Sequence, residues 1–576
     1  MEEFDVLIRN GIVYDGTGVP PFEADLALKA GKIARIAPRI EGRARREIDA
    51  AGKAVTPGFI DVHTHYDGQA TWDSHMRPSS SLGTTTVVLG NCGVGFAPCR
   101  KEDRNTLVEL MEGVEEIPGS ALAAGIRWDW ESFPEYLDAL DRKPRDIDVA
   151  AFLPHAPVRV YVMGRRAVDH EAATEDDLRQ MQAIVREAMA AGAIGLSSSR
   201  TLLHRSIDGN TIPTHGSAVE EMVALGGCLS GEQGQVLQFI SDWVDADAEF
   251  SILRQVSSRT GAKGTFTLIP FEVPPPGANP DPDLWRDNLR RIEAAQAEGL
   301  DIRGQVIARP IGLLMGHPAS MSPFYRRPTY LACAELPPAE RLARLRDPAV
   351  KARILSEAND RPHVFVELLG SRFQQMYPLE EPLNYLPAPE ESVLHRAQRA
   401  GTEPLEWLYD FLLGNDATNL IYIPGTSAVP EKIAELICHP HTITALGDGG
   451  AHVGTICDSS ANLFQLIRWS RDVPLMDLAQ GIRRLTRDPA EFFSMHDRGT
   501  LAPGMRADVN ILDIAGLTLR TPRKIADLPG GESRFVQECD GIEATFVAGE
   551  MIFEQGRPTG ALPGRLIRGK QAAPSG

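Results

Sequence analysis

Short apolar runs separated by turn pairs dominate the beginning of the chain. Val6-Leu7-Ile8 leads into Asn10-Gly11, and Ile12-Val13-Tyr14 into Asp15-Gly16. The alternating Ala24-Asp25-Leu26-Ala27-Leu28 reaches Gly31-Lys32 and continues as Ile33-Ala34-Arg35-Ile36. Runs of this length bounded by such dipeptides predict a small antiparallel β unit over about the first 55 residues. The tail returns to the same texture at Ala507–Asp513 and Ala544–Glu550, so both chain ends are expected to build one small β-sandwich.

Between the ends the period changes. Apolar strands alternate with helical stretches, the pattern of an α/β fold with a parallel sheet. Over Thr174–Ala191, Leu178, Met181, Val185, Ala188 and Met189 share one helical face. Thr174 is placed to cap that helix, Glu175, Asp176 and Asp177 suit its positive end, and Gly192 stops it. Eight candidate strands lie near 58–63, 84–90, 148–154, 193–198, 235–241, 264–270, 302–308 and 442–448. Eight strands predict a (β/α)8 barrel with its active site at the strands' C-terminal ends. The long gap before the eighth strand predicts an inserted lid or subdomain around 310–440. The expected division is 1–57 and 499–576 for the sandwich and 58–498 for the barrel.

Composition narrows the partners. The 576 residues carry a net charge of −19, and no local basic patch interrupts it, which excludes nucleic acid as an expected partner. No apolar stretch approaches the ~20 residues needed to span a membrane. The seven scattered cysteines do not read as a disulfide framework, and the acidic start Met1-Glu2-Glu3 lacks the features of a signal peptide. A cytoplasmic protein acting on a small molecule is expected, and a homo-oligomer is reasonable for a chain of this size.

Three segments carry candidate chemistry. In Gly58-Phe59-Ile60-Asp61-Val62-His63-Thr64-His65, two histidines at i and i+2 of one strand point to the same side and can reach one cation. Cys92 sits in the glycine-rich turn Gly90-Asn91-Cys92-Gly93 after a strand, where a thiolate can ligate zinc. Asp448 ends an apolar strand in Gly447-Asp448-Gly449, free to bind metal or to accept a proton from water. His155, Arg200, Arg309 and His452 fall just after strand ends as candidate substrate-binding residues. His204 and His215 follow the fourth strand, and Trp72, Phe96 and Tyr325 are candidates for an apolar acyl pocket.

These motifs, with Leu7-Ile8-Arg9-Asn10-Gly11, Gly195-Leu196-Ser197-Ser198 and the tail Gly499–Asp508, make the chain resemble the amidohydrolase superfamily, and within it the N-acyl-D-amino-acid deacylase branch. The resemblance implies a metal-dependent hydrolase built on a distorted (β/α)8 barrel with a flanking β-sandwich. It implies His63, His65 and Cys92 as ligands of one or two divalent ions, zinc first among them. It implies Asp448 as the catalytic aspartate that activates water and protonates the leaving amine. The chain departs from the branch on the fifth and sixth strands, where Val236–Asp242 and Thr265–Phe271 lack the branch's histidines and its lysine. Ser197-Ser198-Ser199-Arg200 offers no lysine to bridge two ions. Amide hydrolysis is therefore the expected activity. A cyclic amide, imide or lactone substrate and a non-catalytic scaffold are the alternatives.

Overall fold

Each apolar run of the central region forms a strand in the computed structural model, which describes residues 2–334, 336–360 and 372–574. In chain order these are β1 (Phe59–Asp61), β2 (Thr84–Leu89), β3 (Asp148–Ala151, resumed at Leu153–Pro154), β4 (Gly195–Arg200), β5 (Val236–Ser241), β6 (Lys263–Thr267), β7 (Ile302–Val306) and β8 (Thr442–Thr444). Every neighbouring pair is parallel, β1 to β3 in one sheet and resumed β3 through β8 in another. Residue Phe152 joins the sheets. Its N–H donates to Leu89 O, while Ile194 N–H donates to Ala151 O. Beyond the last strand, Asp448 N–H donates to His63 O at 3.2 Å and His65 N–H to Gly449 O at 2.8 Å. The β-branched run Thr84-Thr85-Thr86-Val87-Val88 is buried throughout, as a strand covered on both faces requires.

The helix expected after β3 spans Glu175–Ala191. Thr174 and Asp177 cap it reciprocally, and Gly192 closes it in the left-handed region at φ 107°. Its buried residues include Met181, Val185, Ala188 and Met189, the stripe read from the sequence.

The chain ends meet in one continuous sheet of nine strands. Ala54–Pro57 lies at its centre, parallel to Glu3–Val13 and antiparallel to Val509–Leu512. Val6, Ile8, Leu26, Val55, Val509 and Phe546 share its core. Buried ion pairs fasten this sheet to the parallel strands. Arg498 reaches Asp148 of β3 at 2.7 Å and Asp508 at 3.6 Å, and Arg506 holds the other oxygen of Asp148 at 2.8 Å. Leaving either aspartate unpaired at that depth would be costly, so the arginines fix how the two units dock.

Between β7 and β8 the chain builds a small antiparallel sheet of Gly312–Gly316, Leu420–Pro424 and Tyr377–Pro378. It packs with short helices around Phe324, Tyr330, Leu408 and Tyr409. Among the described residues, no helix is long and apolar enough to cross a membrane.

Candidate active site

His63 and His65 follow β1, Cys92 follows β2 and Asp448 follows β8, so the parallel order brings their backbones to one end of the strands. Cys92 lies in a tight turn with φ 56°, a left-handed conformation that costs a non-glycine residue on the order of 1–2 kcal/mol. Gly93 makes that turn possible, because a Cβ there would stand 2.6 Å from Ser198 Cα.

The side chains converge. One ligating atom each from His63, His65 and Cys92 lies within 4.8 Å of the others. His63 Nε2 is 3.3 Å from Cys92 Sγ. His63 Nε2 and His65 Nε2 are each 3.7 Å from Asp448 Oδ1. Tetrahedral zinc ligands stand about 3.3 to 3.8 Å apart, from metal bonds of about 2.0–2.3 Å. The donor set and its spacing therefore fit a divalent ion. Burial lowers the pKa of both imidazoles and leaves them neutral, the form that ligates. Burial likewise pushes the Cys92 thiol well above its usual range, a direction that a coordinated cation reverses.

The residues that orient these ligands are those sequence reasoning missed. Gln305 of β7 meets His63 Nδ1 at 2.6 Å through Oε1, which turns Nε2 toward Cys92. Glu115 ends the helix Arg104–Glu115 and places Oε1 3.2 Å from His65 Nδ1, turning that ring's Nε2 toward Asp448. Carboxylate-to-histidine contacts of this kind set ring orientation and tautomer in metal sites. A signal for Glu115 was present. It follows Leu107 and Met111 at i+8 and i+4 on the buried helical stripe, where a carboxylate needs a reason. Burial pushes its carboxyl up to about 8.

His452 bridges to the rim. Its Nε2 lies 3.7 Å from Glu115 Oε2 and its Nδ1 3.6 Å from Glu116 Oε2. Burial alone would lower its pKa, but Glu116 and Glu115 outweigh that and raise it to about 9. His204, hydrogen-bonded to Ser199 Oγ at 2.8 Å, is brought down to about 3 by burial and then by the facing His452 and His63.

The remaining candidates lie in other contacts. His155 is buried between Ser198 Oγ at 2.9 Å and Glu221 Oε1 at 2.9 Å. Arg200 grips Glu249 with Nε at 2.7 Å and Nη2 at 2.9 Å. Arg309 pairs with Asp458 at 2.8 Å and stacks on Tyr385. His215 is half-buried in the loop after β4. Phe96 packs edge-on against Trp128, Trp72 packs against the same core, and Tyr325 is exposed. Burial would raise the pKa of Glu221, but His155 and Arg159 overcome it and bring it down to about 2. The stability this contributes is full above the unfolded carboxyl's pKa of about 4.3 and is lost as pH falls through the folded value. Glu221→Gln is expected to flatten the acid limb of the melting curve between about pH 4 and pH 2. An unchanged slope of Tm against pH in that window would count against the pairing.

The strand order, the terminal sheet and the ligand cluster define an α/β protein with a candidate metal centre, and comparison with known proteins gives its family. The chain belongs to the amidohydrolase family, whose profile matches residues 46–553. It is a hydrolase acting on carbon–nitrogen bonds other than peptide bonds. It is 25% identical to the N-acyl-D-glutamate deacylase of Alcaligenes xylosoxydans xylosoxydans, over 98% of this chain and 97% of that one. Its fold is similar to the crystal structure of D-aminoacylase, with a TM-score of 0.64 at 22% identity over 98% of this chain and 100% of the other. It is also similar to N-acyl-D-glutamate deacylase from Bordetella bronchiseptica, solved with zinc and a phosphonate inhibitor, with a TM-score of 0.61 at 24% identity over the same shares.

Proposed function

We propose that this chain is a zinc-dependent hydrolase of the amide C–N bond in a small N-acyl compound, working at the open end of a closed (β/α)8 barrel. The observation that carries the reading is the convergence of His63 Nε2, Cys92 Sγ, His65 Nε2 and Asp448 Oδ1. Barrel closure is supported by the hydrogen bonds linking the segments after β8 and β1, and by one core shared by Ile60, Val88, Ala150, Val236 and Ile443. The similar deacylase solved with zinc supports the choice of metal. When bound, a divalent ion supplies Lewis acidity, lowering the pKa of water to about 7 and polarising a carbonyl.

The chain's own residues supply the rest. Gln305 and Glu115 hold the two imidazoles in register. Asp448, with 13% of its side chain exposed, takes a proton from the attacking water and returns it to the leaving amine nitrogen. The seven cysteines are free, which suits a cytoplasmic enzyme. The net charge of −19 suits a small-molecule partner rather than nucleic acid.

A second reading, hydrolysis of a cyclic amide, imide or lactone, is favoured by one observation. Arg200 and Arg309 are both paired with carboxylates and so are not free to clamp a substrate carboxylate. The test is zinc-loaded protein incubated with N-acetyl D- and L-amino acids and with hydantoins, with release of free amine or ring opening followed. Amine release from open-chain substrates is expected. Ring opening alone selects the second reading, and turnover of neither class sinks both.

A further inference from the structure

Four buried polar side chains on β5, β6 and β7 each keep a polar atom that the ligand cluster does not use. Gln238 and Gln305 are fully buried, as is Thr265, and Thr267 is nearly so. Each amide has its oxygen committed. Gln238 Oε1 accepts from Cys92 N–H at 3.2 Å, which fixes the flip because a backbone N–H can only donate. Gln305 Oε1 faces His63 Nδ1 at 2.6 Å. Each NH2 group therefore points away from the ligand it supports, and among the described residues neither Gln238 Nε2 nor Gln305 Nε2 has a partner. The hydroxyls of Thr265 and Thr267 are likewise without partners.

The strand register makes this one cluster. Gln238 pairs with Thr265, Thr267 pairs with Gln305, and the two threonines lie on one face of β6. A buried donor left unmade costs about 1–3 kcal/mol, so four together in a well-formed interior call for an occupant. Amide NH2 groups repel a cation and welcome an acceptor. The hydroxyls adapt to either role.

We propose that Gln238, Thr265, Thr267 and Gln305 form a cradle for a hydrogen-bond-accepting oxygen of the substrate, beside the His63–His65–Cys92 cluster. The proposal rests on the hydrolase reading and extends it. The oxygen is that of the scissile carbonyl, and the donors gain strength as negative charge develops on it. Fixed donors in a water-poor site are an effective means of stabilising such a charge.

Methylphosphonate, a small tetrahedral oxyanion, serves as the probe, titrated calorimetrically into zinc-treated protein with zinc counted in every sample. Thr265→Val and Thr267→Val remove one hydroxyl each while keeping the shape, and Gln238→Met removes the amide. Each variant is expected to bind methylphosphonate about tenfold or more weakly than the parent protein, with zinc per chain unchanged in the two valine variants, which leave the Cys92 N–H to Gln238 contact in place. Wild-type affinity in both valine variants overturns the cradle, whatever happens to their melting temperature. A rise in melting temperature would then show that the hydroxyls were merely unsatisfied. Failure of the wild-type protein to bind the probe overturns it too. A wild-type protein that takes up no zinc overturns the hydrolase reading instead. Threonine-dependent phosphonate binding in that metal-free protein would leave the cradle standing.

Discussion

Asp448→Asn is expected to lower kcat by about 10²–10⁴-fold, the contribution typical of a positioned general acid–base. The substitution keeps the volume and one oxygen of the side chain but removes its basicity. The His63–His65–Cys92 cluster does not depend on it, so zinc content should be retained. That separation makes the variant informative, because a carboxylate that acted chiefly as a ligand would take the metal with it. Asp448 has a left-handed backbone at φ 46°, its N–H is tied to His63 O, and its carboxylate stands 3.7 Å from each imidazole. Its position is set by backbone contacts that asparagine leaves intact. Turnover within tenfold of wild type, measured on whichever substrate the screen identifies, would remove Asp448 from the proton-transfer role.

His63→Ala is expected to weaken zinc binding by more than about 100-fold, beyond what loss of an outer-shell contact costs. Its imidazole is central to the cluster. Nε2 meets Cys92 Sγ at 3.3 Å and Nδ1 is fixed by Gln305 at 2.6 Å. Glu115→Ala should produce the smaller loss characteristic of a supporting residue, about 10–100-fold, because His65 remains but its ring is no longer held from behind. Competition against a chelator of known affinity, on protein freed of metal and reloaded, measures both. Equal affinity in His63→Ala and wild type would show that the ion, if bound, lies elsewhere. Equal affinity in Glu115→Ala would reduce the 3.2 Å contact to packing.

The residues that could be read from the sequence share one property. Their relationship is local. His63 and His65 lie two apart, and the two-residue repeat of an extended chain puts them on one side whatever the rest of the fold does. The helix Glu175–Ala191 carries its stripe, cap and stop within nineteen consecutive positions. Cys92 and Asp448 were visible because glycines flank them where an apolar run ends. Gln238 and Gln305 gave no such signal, since a glutamine within a strand reads as an ordinary polar position until its neighbours are known. Glu115 sat on a readable apolar stripe, but its target belongs to a turn fifty residues earlier.

The sequence by itself therefore determined the elements, their order and the chemical types gathered at strand ends, because period, caps and turns depend on near neighbours along the chain. The tertiary structure decided which of those groups meet. Parallel pairing from β1 to β8, with hydrogen bonds between the segments that follow them, brings residues 63 and 448 within 3.7 Å. It also decided which charges are spent, giving Arg200 to Glu249 and Arg309 to Asp458 across 49 and 149 positions. A buried charge must find its partner wherever the packed chain supplies one, and that pairing is a property of the whole fold rather than of any segment within it.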